Sequence, residues 1–188
     1  MGEIDKNEKA LEDYNDVFKD IVNVLLFDGE EYIKESDLFE ASPYSNYSAN
    51  GKTRDQERDV VKFWKNSGIC IAGIGFENES QEDRDMPLRV ICYDGAFYRS
   101  QFSPHNKNVR FPVVSLVLYY GYKHRWREPK TLKKCLEIPE RLDEYVSDYK
   151  MNLFEIAYLS DEQVGKFKSD FRLVADYFVQ MRKTRTNV

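Results

Sequence analysis

The chemistry this chain offers sits in a few carboxylates. From Ile69 to Phe76 runs a hydrophobic stretch in which Ile69, Ile71 and Ile74 are spaced by small residues, and it breaks into Glu77-Asn78-Glu79. A β-branched run of this kind reads as a buried strand. Carboxylates at i and i+2 of a strand share one face. Two such groups at a strand's end can hold a divalent cation, because hard oxygen ligands suit Mg²⁺. The plainer reading makes Glu77 and Glu79 the solvated end of that strand.

The preceding segment supplies a third carboxylate. Asp59-Val60-Val61-Lys62-Phe63-Trp64 and then Lys65-Asn66-Ser67-Gly68 lead into the Ile69 strand as a hairpin. A three-residue loop, Asn66-Ser67-Gly68, would place Gly68 in the left-handed position such loops favour. Lys65 then pairs with Ile69, Asp59 falls opposite Gly75, and Glu57 falls opposite Glu77. In this register Asp59, Glu77 and Glu79 share a face, and Asp59 and Glu77 are diagonal neighbours with β-carbons roughly 7–8 Å apart. Two carboxylates close that gap around one ion, and Gly75 leaves room for the ion, its waters and a phosphate. A two-residue loop shifts the register by one and turns Asp59 to the opposite face. The site therefore depends on the loop length.

Around this hairpin the pattern is that of an α/β protein. Leu11, Tyr14, Phe18, Ile21, Val22 and Leu25 have helical spacing over 8–27 and bury one face, with Asp28-Gly29 as the stop. Asp20 borders that stripe as a carboxylate expected to be solvated. Residues 35–56 are polar and loop-like, with Pro43 and the Asn50-Gly51 turn signal, and their length fits a flexible binding loop. Residues 87–101 read as a short helix packed by Leu88, Ile91, Cys92 and Phe97, with Asp94-Gly95 as a point where it can split. Phe111 to Tyr119 reads as a fully buried strand, and Leu153 to Tyr158 as another. Ser160 and Gln163 form a capping box ahead of a helix carrying Val164, Phe167, Phe171, Val174, Phe178 and Met181.

Composition bounds the partners. The chain has 188 residues, a length that fits one domain with a real core, and its formal net charge is −5. Nucleic acid would have to be met by a local basic patch. Lys123-His124-Arg125-Trp126-Arg127, followed by Lys130, Lys133 and Lys134, is such a patch, opposed in sequence by Glu128 alone. With Tyr119, Tyr120 and Tyr122 beside it, Trp126 offers stacking for bases next to cations for phosphates. Ordinary solvated surface is the competing reading. Three cysteines, Cys70, Cys92 and Cys135, and two histidines show no zinc spacing and no disulfide framework, which fits a reduced, cytoplasmic setting. The charged N-terminus MGEIDKNEK reads as no signal peptide, and no apolar run approaches a membrane span.

In order and spacing, a set of short motifs resembles one family. They are Phe18-Lys19-Asp20-Ile21-Val22-Asn23, Gln56-Glu57-Arg58-Asp59-Val60, Gly75-Phe76-Glu77-Asn78, Asp85-Met86-Pro87-Leu88-Arg89, Tyr93-Asp94-Gly95, Asp148-Tyr149-Lys150 and Phe167-Lys168-Ser169-Asp170-Phe171. The chain is similar in these to the Rpn-type recombination-promoting nucleases, also called YhgA-like or PD-(D/E)XK nuclease family transposases. The resemblance implies a restriction-endonuclease-like (PD-(D/E)XK) α/β fold, a mixed sheet flanked by helices, formed by residues 1–188 as one domain. Members of this branch often continue further, so the chain reads as a shortened copy. DNA is the implied partner, Mg²⁺ or Mn²⁺ the implied cofactor, and DNA phosphodiester hydrolysis the implied reaction. A homodimer is left open.

Carried over residue by residue, the family's metal-binding aspartate falls on Asp59 and its strand glutamate on Glu77, with the Asn78 backbone carbonyl as a further ligand. The family's third position is usually glutamine, or lysine in the wider superfamily; here it is Glu79. A carboxylate cannot orient the attacking water as a lysine does, which leaves Glu79 as an added ligand or base, or the site without activity. Lys52, Arg58, Arg89 and the cluster holding Lys123, Arg125 and Arg127 are the candidates for clamping the DNA backbone. Two rivals stand beside the nuclease: a DNA-binding remnant that cuts nothing, and a protein-interaction module on the same scaffold.

Overall fold

The computed structural model describes residues 9–41, 44–49, 52–57, 59–67, 69–102 and 110–186, with the backbone alone for 44–49, 52–57, 69 and 186. In chain order, helix α1 (Asn15–Phe27) precedes strands β1 (Leu38–Glu40), β2 (Tyr44–Ala49), β3 (Lys52–Glu57), β4 (Val60–Asn66) and β5 (Ile69–Glu79). Helix α2 (Met86–Ser100), strand β6 (Val113–Tyr119), the short helix α3 (Leu132–Cys135), strand β7 (Asn152–Glu155) and helices α4 (Asp161–Lys166) and α5 (Phe171–Thr186) follow.

Five strands form a mixed sheet in the order β1-β4-β5-β6-β7. The β1/β4 and β4/β5 pairs are antiparallel, and β5/β6 and β6/β7 are parallel. Parallel neighbours need a crossover, and α2 supplies the one between β5 and β6. This is a mixed sheet flanked by helices, as a restriction-endonuclease-like fold requires.

Each face of the sheet has its own core. On one, Val60, Ala72, Ile74, Phe76, Leu116 and Leu118 pack with Val17, Phe18, Ile21 and Val22 of α1 and with Phe171, Ala175, Phe178 and Val179 of α5. Phe18 stacks on Phe76 with ring centroids 4.4 Å apart, both rings fully buried. Burying a ring of this size stabilises by roughly 1.5–3 kcal/mol. On the other face, Met86 and Val90 of α2 meet Val117, Tyr119, Trp126 and Met151. Gly73 lets α2 come close: a β-carbon there would lie 2.1 Å from Phe97 Cε1.

Several elements depart from the sequence expectation. The 35–56 stretch is no loop: it holds β1 and the β2–β3 hairpin, whose register runs from Tyr44↔Glu57 to Ala49↔Lys52. Its polar strands lack the apolar alternation that marks a half-buried strand. The first helix is interrupted at Asp13 and Tyr14, after a helical turn at 9–12. Asp28 does end α1, in the left-handed conformation with φ 54°. The Asp94-Gly95 pair does not split α2, because Asp94 is buried and its carboxylate accepts hydrogen bonds from Ser115, at 2.5 Å, and from Tyr149. The expected 153–158 strand ends at Glu155 and continues as a 3₁₀ turn, Ile156–Tyr158.

The capping box at Ser160 and Gln163 is present, but the helix behind it is two helices broken at 167–170. Asp20 explains the break. It is buried rather than solvated, and its Oδ2 accepts the backbone N–H of Lys168 and of Ser169 and the Ser169 hydroxyl, each at 2.7 Å. One carboxylate thus satisfies donors that a continuous helix would have paired internally.

Candidate functional site

The β4–β5 hairpin differs from the expected one in two ways that offset each other. Its loop has two residues, because Asn66 pairs with Ile69. Ser67 takes the left-handed conformation at φ 49°, and Gly68 lies outside the described residues. The register then shifts again between Trp64 and Lys65: Trp64 faces Ala72 while Lys65 faces Cys70, so Ile71 is an extra residue on β5. A bulge of this kind moves the pairing by one. The two shifts together return Asp59 to the face of Glu77 and Glu79. Val61 now faces Gly75 and Val60 faces Phe76, and extending the register by one sets Asp59 beside Glu77 rather than opposite Gly75. Glu57 belongs to β3 and pairs with Tyr44, so it does not oppose Glu77.

Asp59, just before β4, accepts the backbone N–H of Asn78 through Oδ2 at 2.8 Å, and its Oδ1 lies 4.0 Å from Lys9 Nζ. Asn78 points its side chain through to the α1 face, where its Nδ2 donates to Glu12 Oε2 at 2.6 Å. Glu12 is fully buried and also accepts the Tyr120 hydroxyl at 2.6 Å. Asn78 is therefore held from both sides of the sheet. Its backbone stands in the paired part of β5, opposite Leu118.

Glu77 is buried, 1% exposed, at the end of the sheet next to α2. Arg89, in the first turns of α2, reaches back over this edge. Its Nη1 is 2.6 Å from Glu79 Oε1 and 3.0 Å from Asp83 Oδ2, and its Nη2 is 3.7 Å from Glu77 Oε2. Burial acts against the charge of the guanidinium, yet Glu79, Asp83 and Tyr93 outweigh it and hold its pKa above the ordinary arginine value. Burial also pushes the Glu79 carboxyl up, with Asp83 and Asp59 adding to the rise and Arg89 opposing it. Tyr93, one helical turn beyond Arg89 and hydrogen-bonded to it, has its hydroxyl raised by burial and by Glu77. Lys62 is fully buried as well, but it faces α1, pairing with Glu40 at 2.7 Å and Asp13 at 3.2 Å, and so brings no ammonium to the carboxylates.

Hard oxygen donors thus meet around one positive charge, the guanidinium, and oxygen donors of this kind are the type a divalent cation takes. Among the described residues, no three His, Cys, Asp or Glu side chains are grouped to hold a metal ion as they stand.

The basic cluster does not form the expected stacking platform. Trp126 is 4% exposed and packs edge-on against Tyr119, with Tyr119 and Tyr120 both buried. Its indole N–H donates to the Glu128 carbonyl. The fold also brings in acidic partners that the linear run lacks. Arg125 pairs with Glu155 at 2.8 Å and lies over the Tyr158 ring, and Arg127 and His124 meet Glu82 at 3.7 and 3.2 Å. Lys123 is exposed. Arg58 lies outside the described residues, as does the Lys52 side chain. Of the expected clamp residues whose side chains are described, Arg89 is the one that stands beside Glu77 and Glu79.

Sequence reasoning missed Lys9, Glu12, Asp83 and Tyr93 as neighbours of the site. Tyr93 had a signal in its i+4 spacing from Arg89 on one helix. Glu12 had none, since its partners Asn78 and Tyr120 are far along the chain.

A family described as "Putative transposase, YhgA-like" matches residues 73–186, more than half of the chain, a span that includes Glu77, Glu79 and Arg89 and begins after Asp59. No curated protein and no solved structure matches. Among the described residues, no helix is long and apolar enough to cross a membrane.

Proposed function

The chain belongs to the YhgA-like transposase family, and from that we propose that it is a divalent-metal-dependent endonuclease that hydrolyses DNA phosphodiester bonds. The observation carrying this reading is the convergence of Asp59, Glu77 and Glu79 at one end of β5, with a cation already drawn in among the carboxylates. Asp59, Glu77 and the Asn78 carbonyl would hold Mg²⁺ or Mn²⁺, with Glu79 as an added ligand. When bound, the ion lowers the pKa of a water and offsets charge growing on the phosphate.

The chain's own residues prepare that position. The Asn78 N–H fixes the Asp59 carboxylate, and Glu12 fixes Asn78. Burial keeps competing water from Glu77. Arg89 and Lys9 bring positive charge to the rim, where phosphate oxygens of the backbone would lie.

Plasmid nicking by the wild type and by Glu77→Ala, with Mg²⁺ and Mn²⁺ tested separately, decides it. Cleavage by the wild type that is lost in the variant supports the reading. Equal cleavage by both overturns the assignment to Glu77. A second reading, a DNA-binding protein that cuts nothing, is favoured by the engagement of Glu79 with Arg89 at 2.6 Å where the family usually has glutamine. Salt-sensitive DNA binding with no nicking under either metal selects it.

A further inference from the structure

We propose that Arg89 is the resident counter-cation of this site and that a divalent ion enters only by displacing it. The inference rests on the reading that Glu77 and Glu79 bind metal. One guanidinium lies within 4 Å of three carboxylates, using Nη1 for Glu79 and Asp83 and Nη2 for Glu77. Without it, these carboxylates would face one another in a partly buried place and repel. Of the groups that would ligate the ion, the Glu77 and Glu79 carboxylates are ones the guanidinium now holds. This accounts for the lack of a ready cage among the described residues.

Arginine cannot yield the site by losing its proton, so it has to move. Its side chain is 39% exposed, which leaves a solvent side toward which it can swing. The planar fork it then presents fits a phosphate oxygen pair, so substrate and metal both favour the outward position. Metal loading and DNA binding are in this way linked, each strengthening the other.

The test uses the full chain and Mn²⁺ alone, followed by calorimetry, on the wild type, Arg89→Gln and Arg89→Lys. Removing the guanidinium removes a competitor and a positive charge a few ångström from the ion, so Arg89→Gln is expected to bind Mn²⁺ roughly tenfold tighter, while Arg89→Lys stays near the wild type. Tighter binding by Arg89→Gln supports the proposal even where wild-type binding is too weak to measure. Equal or weaker binding by Arg89→Gln, with the wild type binding, overturns it and leaves the metal site standing. No binding by any of the three overturns both.

A measurement on the wild type stands in should Arg89→Gln fail to fold. The Arg89 Nε–H resonance is followed by NMR as Mg²⁺ is added, and it is expected to move together with the backbone resonances of residues 77–79. A fixed Arg89 signal while those resonances shift overturns displacement, and no shift anywhere removes the metal site with it.

Discussion

Asp59 and Asn78 are joined side chain to backbone: the Asp59 carboxylate takes the Asn78 N–H at 2.8 Å across the end of the β4–β5 hairpin. This bond ties the carboxylate that precedes β4 to the strand that carries Glu77 and Glu79. Asp59→Asn keeps an acceptor for that N–H and removes the charge. The expected outcome is a loss of DNA nicking beyond the roughly 10–100-fold that an outer partner of a metal costs, with stability changed by less than about 1 kcal/mol. Nicking assays with Mg²⁺ and a urea melt on the same preparation check both halves; wild-type nicking rates in the variant would remove Asp59 from the site.

Glu12 holds Asn78 from the opposite face and anchors Tyr120 as well, at 2.6 Å to each. Glu12→Ala deletes two hydrogen bonds to a fully buried acceptor. At roughly 1–3 kcal/mol for each buried donor that loses its partner, and with some relaxation, the expected loss is about 3 kcal/mol in urea unfolding. A loss under about 0.5 kcal/mol, the range of ordinary surface changes, would mean that Glu12 is no clamp.

Asp20 accepts three donors from the 168–169 turn. In Asp20→Ala those donors are left in a part-buried place, and the junction between α4 and α5 should loosen before the sheet does. Hydrogen exchange at the Lys168 and Ser169 amides should accelerate at least tenfold, with a stability loss of about 3 kcal/mol. Unchanged protection at those two amides contradicts the assignment.

Gly73 is where α2 touches the sheet through Phe97. Gly73→Ala is expected to cost about 1–3 kcal/mol by overpacking. Combined with Phe97→Ala, the two losses should fall well short of additive, since the smaller side chain removes the clash. A strictly additive double variant would show that the two residues do not meet.

Asp148 is held below the ordinary aspartate range, mainly by the Lys133 backbone N–H, with the Tyr149 N–H adding. A carboxylate lowered on folding contributes stability above its unfolded pKa of about 3.9, and loses it as pH falls through the folded value. The difference in Tm between the wild type and Asp148→Asn should therefore be constant near neutrality and shrink in acid. A gap that widens below pH 4 would reverse the assigned sign.

Much of this was legible from local pattern, and what was missed has a common cause. The isoleucine run gave β5, the 3–4 spacing gave α1, and Ser160 with Gln163 gave a cap, since each rests on neighbours within one or two turns. The break between α4 and α5 was illegible because Phe167 and Phe171 keep helical spacing across it. What breaks the helix is Asp20, more than a hundred residues earlier in the chain. Trp126 looked like a stacking surface because its basic neighbours are exposed, while its burial depends on Tyr119 from β6. At the candidate site the i, i+2 glutamates were visible in sequence. The guanidinium that joins them comes from another element, and no strand pattern announces it.

The short hairpin loop and the extra residue Ile71 act together as a parity check on the site. With every residue of the hairpin kept, either irregularity alone puts Asp59 on the wrong side of the sheet, and both together restore it. A single-residue insertion or deletion within Val60–Trp64 or Ala72–Phe76 is therefore not a small change, however exposed the position, because it turns Asp59 away from the face of Glu77. Deleting Ile71 itself is different: Lys65↔Cys70 and Trp64↔Ala72 become consecutive pairs, and Asp59 keeps its place beside Glu77. The hairpin can change in length by one at the bulge, but not in the paired stretch that separates the bulge from the site.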